Sequence, residues 1–244
     1  MNTRFKYVKT GLVCWALIAT FFNAHAQKGL RVGFNLIPNF SRASFLDTVP
    51  FDYTRKYVPG ITTGLALQYG FNQGISFYTA ALFSSKGFEV IADSNVLKNN
   101  IRGNVIALEI PFGFYLRQPL SKRTFLREQV GLTLSYNSNN EQGFFRFPEE
   151  NPYAMETLVK KRINYLINIG VEVQHEFESG HFFSAGVVYR HGFGIPMQLN
   201  LYEDYDNRIK GPEMSYTGGY IGVNLQFLFD LGNLKPSKEE VFFR

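Results

Sequence analysis

Cysteine is nearly missing from this chain: one occurs among 244 residues, Cys14, and tryptophan occurs once, as its neighbour Trp15. Both fall in a leader that is expected to be removed. The mature protein would then have no disulfide, no Cys-based zinc or iron–sulfur site and no thiol nucleophile. Charge is scarce too, at 18% of residues against roughly 25% in an average globular domain. After the leader, no stretch approaches the roughly 18 uninterrupted apolar residues of a membrane-spanning helix. Nor is there a strong cationic surplus. Lys and Arg number 25 against 20 Asp and Glu, and losing Arg4, Lys6 and Lys9 with the leader lowers the net charge from +5 to +2. The sequence pI of 9.2 therefore exaggerates the basicity of the working protein, and nucleic acid is not an expected partner, since that needs a concentrated basic face.

What the chain has instead is aromatic residues, at 16%, and 22 glycines, with a mean hydropathy of only −0.12. The leader accounts for part of the apolar content. Arg4, Lys6 and Lys9 form a positive start, residues 11–22 an apolar stretch, and Ala24-His25-Ala26 a small-residue cleavage site, the three parts of a secretory signal peptide. The apolar stretch is 12 residues long, too short to span a bilayer, which takes about 20. Cys14 lies inside that stretch, not at the cut, so no lipid-modified cysteine is expected. Three parts follow: signal peptide 1–26, one barrel domain 27–231 and a short periplasmic tail 232–244, whose Val241-Phe242-Phe243 is its one apolar patch.

From Leu30 onward apolar residues recur with period 2, the signature of strands with one apolar face. Leu30, Val32, Phe34 and Leu36 open the pattern; Ile61, Thr63, Leu65, Leu67 and Tyr69 continue it. Ile75 to Phe83, Ile106 to Leu116, Val130 to Tyr136, Tyr165 to Val173, Phe183 to Tyr189 and Ile221 to Phe229 repeat it, giving eight strands. The opposite faces carry Arg31, Glu109, Arg127, Glu172 and Arg190 together with Gly33, Gly64, Gly113, Gly131, Gly170, Gly186 and Gly222. Small residues suit a crowded, tapered interior better than a solvated surface. The polar face is therefore expected inside and the apolar face outside.

Connections alternate in length. Residues 71–74, 118–123 and 178–180 are short links, whereas 38–58, 89–103, 137–162 and 191–216 are long. Short turns at one end and long loops at the other mark transmembrane β-barrels, with the turns periplasmic and the loops extracellular. Lipid cannot satisfy free backbone groups, so such strands must close into a ring. The expected fold is all-β, an eight-stranded antiparallel up-and-down transmembrane barrel in the cell outer membrane. Tyr69, Phe71, Phe77, Phe177 and Phe183 at the turn side, and Phe83, Tyr136, Tyr165 and Tyr189 at the loop side, are placed for two aromatic girdles. Pro111 falls mid-strand, where a ring has no free edge, so a bulge or local irregularity is expected there.

Gly33-Phe34-Asn35-Leu36, Pro59-Gly60-Ile61, Ser84-Ser85-Lys86-Gly87, Leu108-Glu109-Ile110-Pro111 and Gly222-Val223-Asn224-Leu225 are the motifs through which the chain, over residues 28–231, resembles the PorT-like outer-membrane β-barrel family of Bacteroidota. The resemblance implies an eight-stranded outer-membrane barrel. The family's namesake is tied to protein secretion, a role the shared structural motifs do not by themselves carry over.

Arg31, Glu109, Arg127, Glu172 and Arg190 are candidates for an ion-pair network in the lumen, as a packed polar core or as a proton or ion path. Eight strands enclose just enough space for side chains to fill, which favours the packed core. His181 and Ser184 are three apart on a strand and so face opposite ways; His175 and His191 likewise lack a paired nucleophile in the sequence, and no catalysis is expected. Glu203-Asp204-Tyr205-Asp206-Asn207 is a fragment of an oxygen-ligand pattern and is taken as a solvated acidic loop. No cofactor and no metal ion are expected. Phe144, Phe145, Phe147 and Tyr153 in the third long connection form a candidate binding surface, or else pack over the barrel mouth. The expected partners are outer-membrane lipid and other outer-membrane or periplasmic proteins. Three roles are open: a structural or binding barrel acting through its loops, an accessory subunit of a secretion or assembly complex, or a soluble exported lipocalin-like carrier. Intact-mass measurement of the exported protein is expected to give a chain beginning at Gln27; a retained leader would contradict the assignment of the first 26 residues.

Overall fold

The computed structural model describes residues 29–46, 53–93, 98–138, 142–146, 154–204 and 209–231. The leader and the tail, with their expected boundaries, lie outside these residues. Fourteen strands occur in chain order: β1 Gly29–Ser41, β2 Ser44–Phe45, β3 Tyr53–Lys56, β4 Val58–Gly70, β5 Ile75–Asp93, β6 Lys98–Pro119 and β7 Thr124–Asn137. The remainder are β8 Gln142–Arg146, β9 Ala154–Val159, β10 Ile163–Glu176, β11 Phe182–Phe193, β12 Met197–Asp204, β13 Ile209–Tyr216 and β14 Tyr220–Asp230. Eight of them close a ring in the order β1-β4-β5-β6-β7-β10-β11-β14, every pair antiparallel and β14 returning to β1.

The alternation of each strand lands as its period predicts. Phe34, Leu65, Phe83, Ile110, Val130, Ile169, Val187 and Val223 are exposed on the outside, Phe83 at 68%. Arg31, Glu109, Arg127, Glu172 and Arg190 are buried, Glu109 and Arg127 at 0%. A soluble lipocalin-like carrier would show the reverse, with apolar side chains lining the interior, so that reading is set aside. The girdle residues Tyr69, Phe71, Phe177 and Phe183 at one end and Tyr136, Tyr165 and Tyr189 at the other are exposed as expected.

Glycine has a specific task where Tyr78 crosses the lumen. Tyr78, Gly113, Gly131 and Asn168 lie in one cross-strand row. A Cβ at Gly113 would come within 3.0 Å of the Tyr78 ring, and one at Gly131 within 2.8 Å of its hydroxyl. The two facing glycines leave the space that the phenol ring fills, where it stacks on Tyr115 with centroids 4.6 Å apart.

Pro111 produces no bulge, contrary to expectation. Its pairing to β7 is continuous, and towards β5 the register is the same before and after it, Thr79↔Phe112 and Leu82↔Glu109, with only the intervening pairs missing. Pro38 behaves in the same way between β1 and β14, where Leu36↔Leu225 and Asn39↔Gly222 bracket a gap in unchanged register. The absent N–H costs a ladder bond on one side without shifting the strand.

The long connections are also more ordered than loops. β1 runs through Pro38 to Ser41, and β5 and β6 continue as a hairpin paired out to Asp93↔Lys98, which removes most of the expected second loop. β3 adds to the flank of β5. The other connections assemble a second, five-stranded sheet in the order β2-β13-β12-β9-β8. Met197, Leu199, Met214 and Tyr216 on one face of it join Phe88, Val90 and Val105 of the extended hairpin in a buried apolar cluster. Gln198, Asn200, Glu156 and Glu213 form a hydrogen-bonded set on the other, Gln198 Nε2 donating to Glu213 Oε2 at 2.9 Å and Asn200 Nδ2 to Glu156 Oε2 at 3.2 Å. The barrel is thus topped by a cap with its own core. The outward polarity predicts that Ile169→Arg, at the centre of β10, destabilises the barrel in lipid bilayers by roughly 2–4 kcal/mol, measured by urea titration of the vesicle-refolded protein. An unchanged midpoint would mean that this face does not meet hydrocarbon.

Candidate functional site

Five lumenal charges were expected in one network; the structure divides them into three layers and adds a residue the sequence reading passed over. Nearest the cap, Lys86 of β5 and Arg190 of β11 both pair with Glu109 of β6, one on each carboxylate oxygen. Tyr220 donates its hydroxyl to Glu109 Oε2 at 3.3 Å, and Lys86 also donates to the Gly218 carbonyl at 2.8 Å. Lys86, Glu109 and Arg190 are all at 2% exposure or less. Lys86 continues the inward parity of Ser76, Tyr78, Ala80, Leu82 and Ser84; it was missed because strand three was expected to end before it.

Mid-lumen, Arg127 of β7 pairs with Glu172 of its cross-strand neighbour β10. Gln226 and Gln68 accept further bonds from its guanidinium at 2.8 and 3.2 Å, and Asn224 donates to the other oxygen of Glu172 at 2.6 Å. The Tyr115 ring lies 3.8 Å from the Arg127 guanidinium carbon. Both charges are therefore met on several sides, the condition under which burial is tolerable.

At the turn-side mouth sits Arg31, which meets neither Glu109 nor Glu172. It is 3.9 Å from Asp230 and stacks 3.9 Å over Phe182. Beside it Arg117 bonds Glu176 at 3.1 Å and covers Phe125 at 3.3 Å. Cation–aromatic stacking here lets long charged side chains close the opening with their flat faces.

The sites suggested for the loops resolve only in part. Phe144 and Phe145 lie on β8, opposite Glu156 and Met155 of β9 at the edge of the cap sheet, not on an irregular loop. Phe147 and Tyr153 lie outside the described residues. Glu203 and Asp204 end β12, while Tyr205, Asp206 and Asn207 lie outside the described residues. The three histidines among the described residues, His175, His181 and His191, are on the outer surface or in turns. His175 Nδ1 is 3.2 Å from Thr124 Oγ1 and packs edge-on to Phe177; His191 Nδ1 is 3.1 Å from Tyr189 Oη; His181 lies against Phe227 and Phe229. Among the described residues no carboxylate orients any of these rings.

An apolar outer wall on a closed ring with a polar, side-chain-filled lumen is the construction of outer-membrane-type barrels. The solved structures agree on the fold: the crystal structure of the outer membrane protein OprG from Pseudomonas aeruginosa aligns with a TM-score of 0.55 at 9% identity, over 84% of this chain and 97% of that one. The chain is an outer-membrane β-barrel. The outer membrane protease OmpT from Escherichia coli gives a TM-score of 0.37 at 10% identity, over 86% and 97% of the two chains, too slight a likeness to support any argument. No family model and no curated protein matches the sequence.

For this outer-membrane barrel the cap-side layer is the electrostatic weak point, because two buried cations share one carboxylate. Glu109→Ala is expected to destabilise by about 3–5 kcal/mol, the usual cost of leaving a buried charge uncompensated. Lys86→Met, which leaves Arg190 and Glu109 as a matched pair, is expected to cost clearly less. Denaturant melts of the two variants check the order; equal losses would show that the excess charge is not felt.

Proposed function

We propose that the protein is a non-catalytic barrel that binds a partner at the cell exterior through the edge of its cap sheet. The observation that carries this is the folding of the long connections into a sheet with its own apolar core, with β8 at one margin paired, among the described residues, to β9 alone. An edge strand presents a row of backbone donors and acceptors to one side, and a second chain adds there by strand pairing, with alternate side chains giving specificity. The edge strand has the sequence Gln142-Gly143-Phe144-Phe145-Arg146, with two adjacent aromatic residues.

Two further observations support the reading over its rivals. The lumen is occupied by three bonded layers of side chains, which favours a packed plug over an ion path. Among the described residues none of His175, His181 and His191 has the orienting carboxylate that nucleophilic catalysis calls for, which favours binding over turnover. The resemblance to PorT-like barrels makes a neighbouring envelope protein, in a secretion or assembly complex, the first kind of partner to seek.

Exchanging residues 139–153 for a short Gly/Ser linker tests the proposal. The variant is expected to keep the fast, unheated gel mobility of a closed barrel and to lose the proteins that co-purify with the parent after gentle detergent extraction and crosslinking. Retention of those proteins by the variant, or a parent that brings none with it, would refute the assignment.

A further inference from the structure

We infer that the cap-side rim of the barrel, between β1, β11 and β14, holds a binding site for the anionic head group of an outer-leaflet lipid. β14 begins only at Tyr220, which pairs with Ser41 on one side and Arg190 on the other. β1 ends at that same level, at Ser41, while β11 runs on to Phe193. Residues 217–219 cross from β13 to β14 as coil, with Gly218 in the left-handed region at φ 74°. Beside this crossing the wall carries a notch, a cavity of about 280 Å3.

Its surfaces are chemically divided. Phe40, Tyr189 and Ile221 form the lips; each is exposed on the outer wall, at 49%, 47% and 45%, and each would lie among acyl chains. Arg190 and Tyr220 form the floor. Arg42 and His191 stand at the top of the notch, both exposed. The Arg42 guanidinium is held over the Tyr57 ring at 4.7 Å, and His191 uses Nδ1 on Tyr189, which leaves Nε2 as the ring's other polar atom.

The floor calls for an anion. Lys86 and Arg190 are buried against a single carboxylate, Glu109, so the layer carries an excess positive charge with little water to screen it. Arg190 is 2% exposed, and its Nε, like those of Arg31, Arg117 and Arg127, has no hydrogen-bond partner among the described residues. A buried guanidinium N–H of this kind is costly unless met, and guanidinium with phosphate or carboxylate oxygens makes strong charge-assisted bonds. An apolar lip beneath a cationic recess fits an amphiphile: the head group sits against Arg42, His191 and Arg190, and the chain lies along the outer wall. A free anion would meet the same cations but gain nothing from the lip.

Calorimetric titration and native mass spectrometry of the full-length mature protein in dodecyl maltoside test this, with decyl phosphate as the probe. One equivalent of decyl phosphate is expected to bind saturably, inorganic phosphate and decyl glucoside at least tenfold more weakly. Arg42→Gln/His191→Gln is expected to weaken decyl phosphate at least tenfold with unheated gel mobility unchanged. Lys161→Gln, an exposed cation outside the notch, should leave it within about twofold. Arg190→Gln is avoided because Arg190 also holds Glu109. Equal binding of inorganic phosphate would overturn the lipid assignment; equal binding of decyl glucoside, or full binding by the double variant, would overturn the site.

Discussion

Hydrocarbon offers no hydrogen bonds, so a strand that crosses it must find every backbone partner in neighbouring strands. Closure of the eight-membered ring follows from that constraint, and so does the inversion of polarity: apolar residues turn to lipid, and whatever is polar must be accommodated within. The glycines then become intelligible. The inner face of a ring this small has little room, and in the row Tyr78, Gly113, Gly131 and Asn168 two adjacent glycines leave the space that the Tyr78 ring fills. The prolines obey the same constraint. Each of Pro38 and Pro111 gives up ladder pairs on one side but keeps register on both, because in a ring a shift on one strand would have to be absorbed by all the others.

The interior that results is a polar core interleaved with apolar side chains such as Ile37, Leu82, Phe182 and Leu228. Its stability depends on matching charges and hydrogen bonds, and the match is uneven. Around Arg127 and Glu172 the count is one to one, with Gln68, Asn224 and Gln226 bonded around the pair. Around Glu109 it is two cations to one carboxylate. Removing polar side chains is thus not equivalent across the lumen. In the middle layer either charge leaves its partner stranded, whereas in the cap-side layer a cation is the lesser loss.

Period-2 alternation identified all eight barrel strands and assigned the inside and outside of each, because every residue between two lipid-facing positions is forced inward whatever its chemistry. The same rule, followed two residues further, would have found Lys86: Ser84 faces inward, so Lys86 does too. It was passed over because Ser84-Ser85-Lys86-Gly87 has the composition of a strand end. The cap was illegible for a different reason. β12 and β13 show the alternation of Met197 with Leu199 and of Met214 with Tyr216, but over too few residues to stand out from an irregular segment. Their apolar face exists only to cover the Phe88, Val90 and Val105 hairpin extension, and that extension was itself hidden in residues assigned to a loop. Long-range pairing, not local pattern, decides such segments. Arg31 shows the limit of face assignment: parity placed it inside correctly but could not give its height along the axis, and so joined it to partners it never meets.

Cap and barrel meet where β1 ends, at Ser41, and β14 begins, at Tyr220. The chain leaves β13 and enters β14 through residues 217–219, which run beside the backbone of β11. Lys86 secures the crossing by bonding the Gly218 carbonyl, which draws a second cation into the layer that already holds Arg190. Anchoring the cap is thus what unbalances the charge beneath it. The excess lies in the cap-side layer, beside the cavity that Arg190 and Tyr220 help to line. Electrostatic imbalance in a sealed interior would be a defect; beside a notch at the membrane surface it becomes a means of recognising the lipid around it.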